Sequence, residues 1–162
     1  MIPTLVIDSA LPARDRVVQA AMAWERTPYR HHGCVRGVGV DCGNLLAGAF
    51  HDAGVIPGPF DPGPYSHEWQ LHQTEELFRA ALRLAGFVEL PLSRAVQPGD
   101  VALWKMGNTY SHAGLVIDTD PHPMGCLLLH ALLDQCVQQV RLLEEPVGHR
   151  PVEFWIHPAL GA

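Results

Sequence analysis

Val38-Gly39-Val40-Asp41-Cys42-Gly43-Asn44-Leu45-Leu46 is the stretch around which the rest of the chain arranges itself. An acid and a thiol stand side by side, with glycines before them and an apolar run after. Leu45, Leu46, Ala49 and Phe50 recur at i, i+1, i+4 and i+5, the spacing of one apolar helix face. Gly54 supplies a stop signal. The pattern predicts a loop closing onto the first turn of a buried helix, with Cys42 at or near its N-terminus. Unpaired backbone N–H groups and the helix dipole favour an anion there, so Cys42 is expected to lean towards thiolate. A free cysteine is equally at home as a small buried core residue. The stretch alone leaves both readings open.

Outward from it, composition bounds the answer. At 162 residues the chain suits one domain with a substantial core and is short for two, so 1–162 reads as a single domain. Apolar residues make up 48% and charged ones 17%, the balance of a globular rather than a disordered chain. The net charge is −6 and the 11 basic residues form no cluster, which argues against nucleic acid or an acidic membrane surface as partner. Cys34, Cys42, Cys126 and Cys136 show no CxxC pairing, so reduced thiols are expected rather than a disulfide scaffold. The segment Met1 to Asp8 has no basic region and too short an apolar run for a signal peptide. No run approaches the ~20 apolar residues of a membrane span. A soluble product made in the cytoplasm is expected.

Before Cys42, Asp8 or Ser9 can cap a helix with Pro12 in its first turn and Val17, Val18, Ala21 and Trp24 as its stripe. Thr27-Pro28 ends it, and a glycine-rich loop with His31 and His32 leads to Val40. After the Cys42 helix, residues 56–65 are Pro/Gly punctuation and read as an extended loop. A second amphipathic helix is expected from residue 66 or 72 to 85, with Leu77, Phe78, Ala81, Leu82 and Ala85 inward and Gly86 closing it. Short β-type runs follow at 87–90, 101–105, 111–118, 127–132, 136–142 and 152–156, with Pro98-Gly99-Asp100 as a turn. Helices first and strands second predict an α+β fold, with N-terminal helices packed on a five- to six-stranded antiparallel sheet.

A cysteine nucleophile needs a base within reach, and the base needs a group to hold its ring. His112, in Ser111-His112-Ala113-Gly114-Leu115-Val116-Ile117-Asp118, opens a strand just after the Gly107-Asn108 turn. Alternation puts Ala113, Leu115 and Ile117 on one face and His112, Gly114 and Val116 on the other. His130 ends the Leu127-Leu128-Leu129 run on the next strand, where it can meet His112 and orient its ring. Taken alone, each also fits a structural histidine in a sheet. His31, His32 and Cys34 with Cys126 or Cys136 match no metal-ligand spacing. His67 and His72 are one residue too far apart for a zincin helix. Gly37-Val38-Gly39 lacks the third glycine of a dinucleotide loop. No metal or organic cofactor is expected.

Three blocks carry a resemblance: Val40-Asp41-Cys42-Gly43-Asn44-Leu45-Leu46, Pro98-Gly99-Asp100-Val101-Ala102-Leu103-Trp104 and Ser111-His112-Ala113-Gly114-Leu115-Val116. In this order they resemble the NlpC-type cysteine peptidases. The resemblance implies a papain-like fold and hydrolysis of amide bonds in peptidoglycan stem peptides. It makes Cys42 the nucleophile, His112 the base and His130 the third catalytic member. Thr27-Pro28-Tyr29 is similar to an upstream Pro-Tyr whose hydroxyl lies beside the nucleophile, which makes Tyr29 a site residue. Asp41 is implied as counter-charge to a substrate amine. The family's usual Ser-Gly after the cysteine is replaced here by Gly43-Asn44, so substrate contact at Gly43 lacks the customary hydroxyl.

The loop from His31 to Gly39 and the segment from Tyr65 to Glu76 resemble the branch found in phage tails and gene-transfer particles. That branch implies tail or particle proteins as partners. It also implies a product made in the cytoplasm, carried in a phage-like particle and acting on the cell wall. Two other readings stand beside it: a related amidase or acyltransferase using the same trio, and a structural tail component whose trio is vestigial.

Overall fold

In the computed structural model, which describes residues 5–58, 76–120 and 125–161, the chain begins with helix α1 over Ala13–Met22. Neither Asp8 nor Ser9 caps it. Pro12 is the extended residue before the helix, no side chain caps the N-terminus, and Asp8 instead accepts the Ala10 N–H at 2.9 Å in a preceding turn. The loop to Val40 contains a hairpin, β1 (Cys34–Val35) and β2 (Gly39–Val40), whose two-residue strands are too short for any periodicity to reveal. Helix α2 (Cys42–Asp52) follows with Cys42 as its first residue, and Leu45, Leu46, Ala49 and Phe50 are buried as their spacing requires.

The expected loop after α2 and the start of the second amphipathic helix fall largely on residues 59–75, outside the described residues. Helix α3 spans Leu77–Leu84, with Ala81 and Leu82 buried and Phe78 packed on the same core.

Six strands follow: β3 (Val88–Glu89), β4 (Val101–Met106), β5 (Thr109–Asp118), β6 (Leu127–Ala131), β7 (Val137–Arg141) and β8 (Val152–Ile156). They form one antiparallel sheet in the order β3-β8-β4-β5-β6-β7. The α+β architecture is therefore the one the helix-then-strand pattern predicts. β5 begins at Thr109, earlier than expected, because the Gly107-Asn108 turn is tight and Met106 pairs directly with Thr109.

The Pro98-Gly99-Asp100 turn fixes the start of β4. Gly99 has φ +91°, a conformation glycine adopts without Cβ strain, and its N–H donates to Val116 O at 2.8 Å. The fully buried Asp100 accepts from Arg14 Nη1 and from the Gln97 N–H, both at 2.9 Å, tying α1 to the sheet.

One face of the sheet, with Val101, Leu103, Ala113, Leu115, Leu129 and Ala131, packs on α1 and α2. The other gathers Ala102, Trp104, Val116, Leu128 and Val140 into a second, smaller core. Between β4 and β5 the register slips once. Lys105 lies opposite Tyr110, but Trp104 lies opposite His112, so Ser111 is the extra residue of a β-bulge. That single slip puts His112 on the face that carries Trp104.

Candidate active site

Cys42 is presented by two elements. As the first residue of α2 it follows the N-cap Asp41, and its side chain is laid against the backbone of β5. Its Sγ is 4.0 Å from Ser111 O, with the N–H groups of Ala113, Gly43 and Cys42 itself also directed at the sulfur. The β5 edge is open there because β6 pairs with it only from Gly114 onward, where Gly114 faces His130. Burial pushes the thiol up to about 12, the Asp41 charge adds to this, and the three backbone donors pull it down by less. The expected lean towards thiolate therefore does not hold. Desolvation against β5 outweighs the helix start, and Cys42 at rest is a neutral thiol.

The two histidines meet on the opposite side of β5 from α2. His112 Nε2 is 2.8 Å from His130 Nδ1, with ring centroids 5.1 Å apart and planes at 71°. His130 is fully buried. Burial lowers His112 to about 3, with His130 contributing, and burial lowers His130 to about 4. Both rings are thus neutral at pH 7. With Nε2 committed to His130, Nδ1 is the His112 nitrogen left to take a proton. For Nδ1 to carry a lone pair, His112 donates its Nε2–H to His130 Nδ1. His130 then holds its own proton on Nε2, a buried atom without a hydrogen-bond partner among the described residues. No hydrogen bond joins the Cys42 thiol to the His112 ring among the described residues. The sulfur meets β5 at the backbone flanking His112 instead.

Tyr29 is fixed beside this centre by the backbone. Its N–H donates to Gln135 O at 2.9 Å, and it bridges Val40, two residues before Cys42. Burial holds its hydroxyl above the ordinary phenol range, with any negative charge that develops on Cys42 and the charges of Asp41 and Asp134 adding, so it stays a proton donor. Asp41 is buried. Its Oδ1 accepts the Asn44 N–H and its Oδ2 the His32 N–H, each at 2.9 Å, so it both caps α2 and anchors the preceding loop. At Gly43 a Cβ would lie 3.8 Å from Phe78 and from Asp41, ordinary contact distances. Space does not demand glycine there, and Phe78 of α3 forms a wall over the first turn of α2.

The remaining cysteines stand apart from this centre. Cys34 is exposed on the β1–β2 hairpin, Cys136 is half-buried and Cys126 is buried in the second core. Among the described residues no three His, Cys, Asp or Glu side chains converge as a metal site requires. His67 and His72 lie outside the described residues. Two neighbours of the site are not legible in the sequence pattern. Phe78 belongs to an apolar helix face that reads as plain core. Trp104 ends the run Val101 to Trp104, which is buried on both faces of the sheet and so has no alternation to place it.

No protein-family model and no curated protein matches this sequence. Solved structures do match its fold. The chain is similar to NlpC1 from Trichomonas vaginalis, with a TM-score of 0.61 and 16% identity over 94% of this chain and 46% of that one. It is similar to NlpC2 from the same organism at a TM-score of 0.62 and 14% identity, over 93% of this chain and 49% of the other. The NlpC/p60 domain of the peptidoglycan hydrolase SagA aligns at a TM-score of 0.57 and 15% identity, over 88% of this chain and 97% of that domain. The chain thus spans about half the length of the two Trichomonas proteins and nearly all of the SagA domain. At such identities the likeness establishes the fold, the papain-like fold of NlpC/p60 domains.

Proposed function

We propose that this protein is a cysteine peptidase that hydrolyses amide bonds in peptidoglycan stem peptides. One observation carries the reading. On an NlpC/p60 fold, Cys42 opens α2 against the β5 backbone at His112, and the His112 ring is joined at 2.8 Å to the buried His130.

The chemistry follows from the neutral resting state. As Sγ attacks the amide carbonyl carbon, His112 Nδ1 takes the thiol proton, so proton transfer accompanies attack instead of preceding it as an ion pair. The oxyanion meets backbone N–H groups at the start of α2 and the protonated Tyr29 hydroxyl. His112 then gives its proton to the leaving nitrogen as the C–N bond breaks, leaving a thioester on Cys42. Water attacks the thioester with His112 again as base, releasing a carboxylic acid and the free thiol. Throughout, His130 Nδ1 accepts the His112 Nε2–H and fixes the tautomer. The negative charge of Asp41, close enough to Cys42 and Tyr29 to raise both, favours a substrate with a free amine and so narrows the class to stem peptides.

The loop and segment motifs extend this reading to the branch found in phage tails and gene-transfer particles. A protein of that branch is made in the cytoplasm, meets tail or particle proteins and acts on the cell wall. Purified sacculi incubated with the protein, followed by mass analysis of the released muropeptides, test the proposal. Cleaved stem peptides carrying new amine termini are expected. Whole stem peptides freed from glycan would assign an amidase, and sacculi left intact would leave a structural particle component.

A further inference from the structure

Trp104 lies against the paired histidines from β4. Its Cα is directly opposite His112 across the β4–β5 ladder, a pairing that exists only because of the bulge at Ser111. The indole stacks on the His112 ring with centroids 5.5 Å apart and planes at 28°, and lies 6.4 Å from the His130 ring at 57°. It is fully buried, and its Nε1 has no hydrogen-bond partner among the described residues. Packing alone therefore orients it, even though a buried unpaired donor is unfavourable. Gly114 lies opposite His130 on one side and Ala102 on the other. A Cβ at Gly114 would stand 3.1 Å from Trp104 Cη2 and Cζ3 and 3.1 Å from Leu129 O, too close for the indole to keep its place undisturbed.

We propose that Trp104 is a positioning residue. Its indole face holds the His112 ring in the one plane that keeps Nε2 on His130 and leaves Nδ1 for Cys42, and Gly114 provides the space for it. The physical argument is geometric. A ring tethered by one hydrogen bond can still tilt about that bond, and a flat aromatic surface in stacking contact removes the tilt. The same surface excludes water from one face of His112, which strengthens the bond between the histidines and contributes to the burial that keeps the ring neutral. The consequence for catalysis rests on the peptidase reading, whereas the effect on the histidine pair does not. A large core residue with no further role would occupy the same volume, so the test needs a readout that lost packing would not move.

That readout is the ring titration of His112 and His130 by NMR in the full-length protein, alongside cleavage of a stem peptide and thermal unfolding. In Trp104→Leu the His112 midpoint is expected to rise by about one pH unit or more, a tenfold change in its protonation equilibrium. The kcat should fall by about tenfold while KM changes little, as for a misplaced catalytic group. Trp104→Phe, which keeps an aromatic face, should restore both. Gly114→Ala, which displaces the indole without removing it, should move the His112 midpoint in the same direction and covers the case in which Trp104→Leu does not fold. A lowered unfolding temperature with the His112 midpoint unchanged in the folded variants would overturn the proposal. The titration needs no substrate. If wild-type protein cleaves no stem peptide, the peptidase reading fails, and the midpoint shift still decides the role of Trp104.

Discussion

Cys34 lies within three residues of His31 and His32, yet Cys42, far in sequence from His112 and His130, has the better-built surroundings. In the first group Cys34 opens a hairpin of two-residue strands with its thiol exposed, and the rings of His31 and His32 in the turn before it are tilted at 55° with centroids 4.1 Å apart. The second is drawn together by a helix start, an open strand edge and a pair of neighbouring strands, and its histidines share a 2.8 Å hydrogen bond. The contrast separates closeness in sequence from convergence in space. On a short hairpin successive side chains diverge, whereas paired strands and a packed helix fix both where a side chain stands and which way it faces.

The largest difference between the groups should appear in catalysis. His112→Ala is expected to lower stem-peptide cleavage by about 10²–10⁴-fold, the range for a lost general base, while His31→Ala leaves it near wild type. Equal losses in both variants, measured as kcat/KM, would erase the distinction.

Asp41 tests how the second group selects a substrate. Asp41→Asn keeps the shape and most of the capping ability and removes the charge. Cleavage of stem peptides with a free amine should fall by about 2 kcal/mol or more in transition-state stabilisation, roughly thirtyfold, with little change on N-acetylated peptides. Equal losses on both substrates would leave Asp41 as the cap and loop anchor its hydrogen bonds already describe.

Thiol labelling sets the two cysteines against each other directly. Because Cys34 is exposed and Cys42 is a neutral thiol pushed up to about 12, iodoacetamide at neutral pH should modify Cys34 severalfold faster in the folded protein. Labelling of Cys42 should rise by about tenfold per pH unit through the mildly alkaline range, since only the thiolate reacts. A Cys42 rate that is already high and flat around pH 7 would reveal a preformed thiolate–imidazolium pair.

The smallest effect is on stability. The folded values of His112 and His130, about 3 and about 4, lie below the ordinary 6.5. Between those limits the unfolded chain binds more protons, so the stability is fully present above about pH 6.5 and is lost as pH falls towards about 4. The slope approaches about 1.4 kcal/mol per pH unit for each ring. Urea unfolding at about pH 7, 6 and 5 measures it, and His130→Gln should make the profile shallower. An unchanged slope in that variant would show that His130 is not neutral by burial.

Much of the architecture behind this contrast is legible in the residues. The apolar spacing after Cys42 fixes α2, and the runs after Gly86 mark the strands of the sheet, because α2 and strands β4 to β8 are long enough for their periods to be read. The meeting of His112 with His130 is legible as neighbouring strands. Three features are not. The bulge at Ser111 leaves no signature, since Ser111 and His112 are both polar and a one-residue slip preserves the alternation on either side. Trp104 sits in a run buried on both faces, and only that same bulge brings His112 opposite it. The protonation state of Cys42 depends on how far β5 covers it, which the helix start does not reveal. Where Asp8 and Ser9 invite a cap, Pro12 is instead the extended residue before the helix and α1 begins only at Ala13.

The most direct test of the account is the rate of amide-bond cleavage in purified sacculi by wild type, Cys42→Ala and Cys34→Ala side by side, each confirmed folded. The account predicts wild-type rates for Cys34→Ala and no cleavage above background for Cys42→Ala. Cleavage by Cys42→Ala at the wild-type rate, or its loss in Cys34→Ala alone, would contradict it.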